Sequence, residues 1–409
     1  MFFQHDLSRF TRPAASAAIP LLVLAVTGSG CGGETRPAQT EQHLLAVRTA
    51  SDAQVVADTH KLMDALLHRT KGQYDEYRAG KRPDPPVVDI LIISGGGDWG
   101  AFGAGFLKGW GRVPRTNPLA RPDFVIVTGV STGALIAPFA FLGDVASINL
   151  VEHLYRNPKP DWVKYRGWLY FLPSNISFAE VPRLEREVDA AFTMETARRI
   201  EEAGADGRVL MVNTTNIDDG SPRVFDLVAE ARRARQSGNL DRIRNVILAS
   251  AGIPGAFPFR IIDDGMYVDG GVTGNIIYGG RVSENDTLAP QWQAAYPDIP
   301  ISKVRFWVLF NNQFRPPPQV IDPRWPAVIT RAMETSTRAA TTTAIRHLFS
   351  IAENSRLKWH ADTEVRVASI PGDWLPPKPG TFVTETMNAL ADLGEKMGAD
   401  PNSWKTSSP

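Results

Sequence analysis

The chain has 409 residues, with 44 basic and 44 acidic side chains and a formal net charge of zero. No basic run or aromatic–basic interleave offers a footprint for nucleic acid, and the single cysteine excludes an intramolecular disulfide. Histidine is scarce and Cys/His metal spacing is missing, which argues against a zinc site. A chain of this length has ample material to hold itself together by core burial.

At the N-terminus, Arg9 and Arg12 precede an apolar run from Ala14 to Val26, followed by Thr27-Gly28-Ser29-Gly30-Cys31. A charged start, a short apolar centre and small residues near a cut read as a secretory signal over residues 1–30. The run is too short for a comfortable membrane span. The position of Cys31 resembles a bacterial lipobox, which implies a lipidated Cys31 as first mature residue and an anchor on a membrane surface of the cell envelope. Gly28 stands where a lipobox usually has Leu, so an ordinary secretory signal with a bystander Cys31 is the alternative. A polar tether to about Thr40 precedes apolar positions at helical spacing over 41–69 (Leu44, Leu45, Val55, Leu62, Leu66). A Gly/Lys/Pro-rich segment closes this N-terminal region, 31–86, at Pro86.

Strand-like runs follow at 87–93, 124–128, 208–213, 260–268, 304–310 and 364–370. Helical patterns cover 99–110, 131–142, 183–203, 240–249, 327–354 and 382–397. Their alternation predicts an α/β fold of three layers, a mostly parallel central sheet with helices on both faces. The segment Tyr155 to Phe178 collects Trp162, Tyr165, Trp168, Tyr170 and Phe171 beside Lys159, Lys164 and Arg166. Such rings suit a membrane interface or a cover over an acyl pocket, or they are simply buried in the domain.

Four segments carry candidate chemistry. Gly129-Val130-Ser131-Thr132-Gly133 directly follows an apolar run and leads into a helix, the sequence form of a nucleophile elbow. Gly129 and Gly133 must be small because the turn is tight. The alternative is a glycine-lined turn with a helix-capping serine. Ser94-Gly95-Gly96-Gly97-Asp98-Trp99-Gly100 supplies backbone N–H donors able to approach an oxyanion closely. The same letters fit Gly-x-Gly-x-x-Gly, but a dinucleotide turn wants an acidic residue closing the second strand, and Asp123 precedes its strand. Tyr267-Val268-Asp269-Gly270-Gly271 presents a carboxylate pinned by two glycines, either a base for Ser131 or a common Asp-Gly turn. Asp263-Asp264-Gly265 reads as a turn. Ala249 to Phe259 shows no group with obvious chemistry; its small and apolar residues suit close packing beneath a site.

Together these four segments, in this order, resemble the patatin-like phospholipase family over roughly residues 87–311. The resemblance implies a catalytic core there with a C-terminal helical extension, 312–409, packed on it. It also implies a Ser–Asp dyad of Ser131 and Asp269, an oxyanion hole at Gly95, Gly96 and Gly97, a lipid or ester substrate, and no metal or cofactor. Trp99 stands where the family often has Arg or Lys, which removes a cation near the site. Ala251-Gly252 is a second, smaller departure. Two other readings remain: a Ser-His-Asp esterase with His347 or His360 as base, and a non-catalytic envelope lipoprotein that keeps the fold.

Overall fold

In the run Val87 to Ile93, Leu91 and Ile93 face one apolar cluster while Val88, Ile90 and Ile92 face another. A strand that buries both faces belongs to the middle of a sheet covered on two sides. The computed structural model describes residues 36, 38–159, 162–165, 176–279 and 287–409. The leader, Cys31, Trp168, Tyr170, Phe171 and the side chain of Tyr165 lie outside the described residues.

The helices are α1 (Glu41–Arg78), α2 (Gly100–Trp110), α3 (Thr132–Leu142), α4 (Val145–Arg156), α5 (Pro182–Ala191), α6 (Met194–Ala203), α7 (Leu227–Ser237), α8 (Asp241–Ser250), α9 (Leu288–Ala295), α10 (Trp325–Trp359) and α11 (Thr384–Ala399). The strands are β1 (Val87–Ile93), β2 (Ile126–Val130), β3 (Lys164–Tyr165), β4 (Ala179–Glu180), β5 (Val209–Asn216), β6 (Ser221–Asp226), β7 (Arg260–Ile262), β8 (Gly265–Asp269), β9 (Lys303–Phe310) and β10 (Thr363–Ser369). The main sheet runs β10-β9-β1-β2-β5-β8-β7, with β6 on the other edge of β5. From β10 to β5 every pairing is parallel, while β6, β7 and β8 are antiparallel. One apolar cluster lies against α2, α3, α4, α6, α7, α8 and α11, and the other receives Leu66 of α1 and Ile345 and Leu348 of α10. The expected three-layer α/β fold is the one observed.

Several elements differ from the sequence reading, each for a local reason. The run 260–268 is a hairpin, because Asp263 and Asp264 both take positive φ and turn the chain between β7 and β8. The helix expected over 183–203 breaks into α5 and α6 where Thr193 accepts the N–H of Thr196 as an N-cap. α1 continues past 69 to Arg78, since Gly80, at φ 70°, is the residue that stops it. The short β3, β4 and β6, and α4, α7 and α9, have no counterpart among the elements the sequence predicts. Asp89, a polar residue inside β1, lies opposite Arg305 of β9, which donates to it at 2.8 and 2.9 Å, with the Trp307 indole at 2.7 Å. A buried charge held by two donors is a paired one. Residues 312–409 extend the same sheet through β10. They also close on α2, where Gly105 and Gly109 face the α11 backbone so tightly that a Cβ would strike Ala391 or Glu395.

Candidate active site

Ser131 and Asp269 are 138 positions apart in the chain, and one strand brings them together. β2 pairs along one edge of β5 and ends with Val130 opposite Asn213. β8 comes in antiparallel on that same edge and ends with Asp269 opposite Thr214. The two strands therefore meet end to end along β5, and the residues that leave them are Ser131 and Asp269.

The elbow has the strain its glycines foretell. Ser131 sits at φ 55° and ψ −123°, a region a non-glycine residue occupies only when its surroundings impose it. A Cβ at Gly129 would strike the Gly133 carbonyl, and one at Gly133 would strike the Ile93 carbonyl. Ser131 stands at the N-cap position of α3 yet makes no side-chain cap bond, so the capping alternative falls. Its hydroxyl is left for other work. The residue is only 7% exposed, less than an elbow at the top of a sheet suggests. The Gly95 loop and the Asp269 turn crowd over it.

Asp269 is 5% exposed, and burial raises its carboxyl to about 6. The Gly271 N–H, donating at 2.7 Å, and the neighbouring Ser131 hydroxyl pull it partly back. Its backbone is fixed by its own N–H to Gly252 O at 2.9 Å and by the Thr215 hydroxyl donating to its carbonyl at 2.9 Å. This is a carboxylate with a backbone donor on one oxygen, a serine beside it, and a titration point near neutrality.

In the glycine loop, the three candidates separate. The Gly95 N–H is occupied, donating to Asn275 Oδ1 at 3.0 Å. The N–H groups of Gly96 and Gly97 meet no acceptor among the described residues, and Gly97 takes φ 59° with open space where a Cβ would be. Gly96 lies so close to the Asn311 carbonyl that a Cβ would collide with it. Gly95 is therefore a loop anchor, and the free donors are Gly96 and Gly97. Asp123, needed by a dinucleotide reading, pairs with Arg115 at the opposite end of the sheet from the loop.

Three residues not singled out from the sequence hold this arrangement. The Ser250 hydroxyl accepts the Ser131 N–H at 3.0 Å and donates to Asn213 O at 2.6 Å. The Ala249–Phe259 block, expected only to pack, thus pins the elbow by hydrogen bond. Asn213 donates through Nδ2 to Gly270 O at 2.9 Å and Gly274 O at 3.0 Å, tying the elbow's support to the Asp-Gly-Gly turn. Asn275 joins Gly95 to Thr341 of α10, donating at 3.1 Å. Ser250 lies in the third of the four segments that carry the family resemblance, whereas no spacing rule marks Asn213 or Asn275; a lone Asn acquires its role only when strands from distant segments meet.

Asp98, next to Gly97, is a second buried carboxyl raised to about 6. Burial is the main cause and the charge of Glu334 adds to it, while the Phe382 N–H, donating at 2.8 Å, opposes it. Phe382 holds φ 58° and packs between Trp162 and Phe257. Trp99, at the position of the missing cation, stacks edge-on against Trp374 with centroids 5.4 Å apart. Of the described rings of the aromatic segment, Tyr155 and Trp162 are buried in the domain whereas Phe178, at its end, is exposed. Neither candidate histidine is a partner of Ser131 or Asp269 among the described residues. His347 pairs through Nδ1 with the Tyr278 hydroxyl at 2.9 Å, and His360 closes α10 at φ 52°. No group of three or more His, Cys, Asp or Glu able to hold a metal occurs among the described residues.

Fold and site together define a three-layer α/β protein whose strained serine and buried carboxylate leave converging strands of one sheet. Residues 91–279 match the family model described as Patatin-like phospholipase, a match that supports the resemblance carried by the four motifs. Among solved structures the chain is similar to VipD from Legionella pneumophila, at 13% identity and a TM-score of 0.33, over 75% of this chain. It spans 66% of that chain, just under two thirds. No curated protein matches it.

Proposed function

We propose that this chain is a serine acyl-ester hydrolase acting on lipids, with Ser131 as nucleophile and Asp269 as its base. The observation that carries the reading is the strained, uncapped Ser131 delivered by β2 beside a buried carboxylate delivered by β8. In the first half-reaction, Asp269 takes the Ser131 proton as Oγ attacks the ester carbonyl. The N–H groups of Gly96 and Gly97 stabilise the tetrahedral oxyanion. The intermediate collapses to an acyl-serine as the proton passes to the leaving alcohol. Water, losing its proton to the same carboxylate, then releases the acid. Residues 87–311 form the catalytic core in this reading, and 312–409 its extension.

A fluorophosphonate probe should label Ser131 covalently, and mass spectrometry of a mixed lipid extract incubated with the protein should show free fatty acid released. An unlabelled Ser131 in folded protein favours the non-catalytic scaffold instead. Gly96→Val is expected to lower turnover by roughly 10²-fold or more, because it displaces one oxyanion donor; its side chain meets the Asn311 carbonyl. Gly97→Val should act similarly by straining φ 59°. Near-normal rates in both place the oxyanion hole elsewhere.

The reading extends to a bacterial envelope lipoprotein anchored through Cys31. Cys31→Ser is expected to turn a firm, salt-resistant membrane attachment into a reversible one that high salt releases, with esterase activity retained, because several acyl chains hold where a single weak contact binds only marginally. Intact-mass analysis of the mature N-terminus checks this: an unmodified mass, or cleavage anywhere but before Cys31, sinks the anchor.

A further inference from the structure

The first four turns of α10 are amphipathic in the reverse sense. Trp325, Val328, Ile329, Ala332 and Met333 follow the i, i+3, i+4, i+7, i+8 spacing of one helix face. That face is turned outward: the four large side chains are between 45 and 60% exposed. The opposite stripe carries Arg331, Glu334 and Arg338 before it becomes the buried Thr341 and Ile345. Val320, in the loop that leads in, is fully exposed and Ile321 is partly so. A helix of a monomer in water normally turns its apolar face to the core, so a contiguous outward apolar patch marks a contact with something apolar.

The position of this helix identifies the contact. Thr341 holds Asn275, which holds Gly95 of the oxyanion loop. Glu334 is close enough to Asp98, beside Gly97, for its charge to act there. The helix thus runs from the rim of the candidate site out into solvent. Ser131 and Asp269 are both buried, so an aggregated lipid has to leave its aggregate to reach them. Along 315–338 the charges are Arg315, Arg324, Arg331 and Arg338 against Asp322 and Glu334; Arg324 pairs with Asp322 and Arg331 with Glu334, which leaves the segment a balance of two positive charges that complements an anionic surface. Trp325 at the outer end is a residue type that settles at the headgroup level.

We infer that the outward face of α10, from Trp325 to Met333, is the surface by which the enzyme docks on an anionic phospholipid layer, with the Ser131 site facing that layer. The choice of a lipid surface rests on the acyl-hydrolase reading. The docking is independent of any acyl anchor at Cys31.

The test is co-sedimentation of the full chain carrying Cys31→Ser and Ser131→Ala with vesicles of equal parts phosphatidylcholine and phosphatidylglycerol. The parent protein should pellet with the vesicles. Trp325→Glu/Ile329→Glu/Met333→Glu should lower the bound fraction on the order of tenfold, since it removes the apolar face and adds like charge. In chains that keep Ser131, turnover of a water-soluble short-chain ester should be unchanged by the triple substitution, which also shows that the variant is folded. A triple alanine variant should lose binding in the same direction. Equal vesicle binding by parent and triple variant overturns the inference, as does a parent that stays in the supernatant. A concentration-dependent dimer in the ultracentrifuge that the triple variant abolishes, without vesicle binding, overturns it in favour of a second copy as the cover. Vesicle binding without any lipid product from the Ser131 protein keeps the docking face and removes the hydrolase reading. Ester hydrolysis with vesicle binding that ignores the triple substitution does the reverse.

Discussion

Ser131→Ala is expected to cut ester hydrolysis by on the order of 10⁴-fold or more, the scale on which serine hydrolases lose rate without their nucleophile. The substitution removes one oxygen that makes no capping bond, so the loss should come without unfolding. Backbone strain gives an independent control. Ser131 at φ 55° carries a cost of order 1–3 kcal/mol, which alanine inherits and glycine does not. Ser131→Gly should therefore be equally inactive and melt higher than Ser131→Ala. Both are read by turnover of a soluble ester and by thermal unfolding. Activity above a few per cent in a folded alanine variant removes Ser131 from the mechanism.

Much of this site was legible from the sequence because its parts are local. A Gly-x-Ser-x-Gly after a β run encodes its own turn geometry, and the clashes at Gly129 and Gly133 are between near neighbours or adjacent strands. Parallel strands alternating with helices likewise follow from periodicity, which is why β1, β2, β5, β9 and β10 fell close to their expected places. What the sequence could not carry was pairing across the chain. That β8 enters antiparallel and abuts β2 along β5 depends on a hairpin whose turn, Asp263-Asp264, is visible in the sequence while its two strands look like one continuous run. The roles of Ser250, Asn213 and Asn275 depend on that pairing, and so does the separation of Gly95 from the donors Gly96 and Gly97. The reversed face of α10 is a similar case. Its helical period was legible, but periodicity alone says which residues share a face and not which way that face points.

Asp269→Asn is expected to cost on the order of 10³-fold or more in turnover, because the base beside Ser131 is lost. His347→Ala and His360→Ala should each stay within a few-fold of the parent. A histidine variant as damaging as the aspartate one restores a triad. The titration of Asp269 adds a sharper signature. Burial raises its carboxyl from 3.8 to about 6, so the base is ionised above about pH 6, and the rate should fall roughly tenfold per unit below it. Asp98 titrates in the same window, so the limb must persist in Asp98→Asn if Asp269 is its source. Stability runs the opposite way. A raised carboxyl binds its proton more tightly in the folded state than in the unfolded one, so its contribution is fully present below about pH 4 and is lost as pH rises through about 6. For a shift of two units the loss is about 3 kcal/mol, at 1.36 kcal/mol per unit. Asparagine carries no charge to desolvate. Asp269→Asn should thus be more stable than the parent at pH 8, with the difference shrinking towards pH 4, in denaturant melts at both values. An inactive Asp269→Asn whose stability tracks the parent at every pH would mean that the carboxylate is not held at its raised value by burial, and the pH limb would then need another owner.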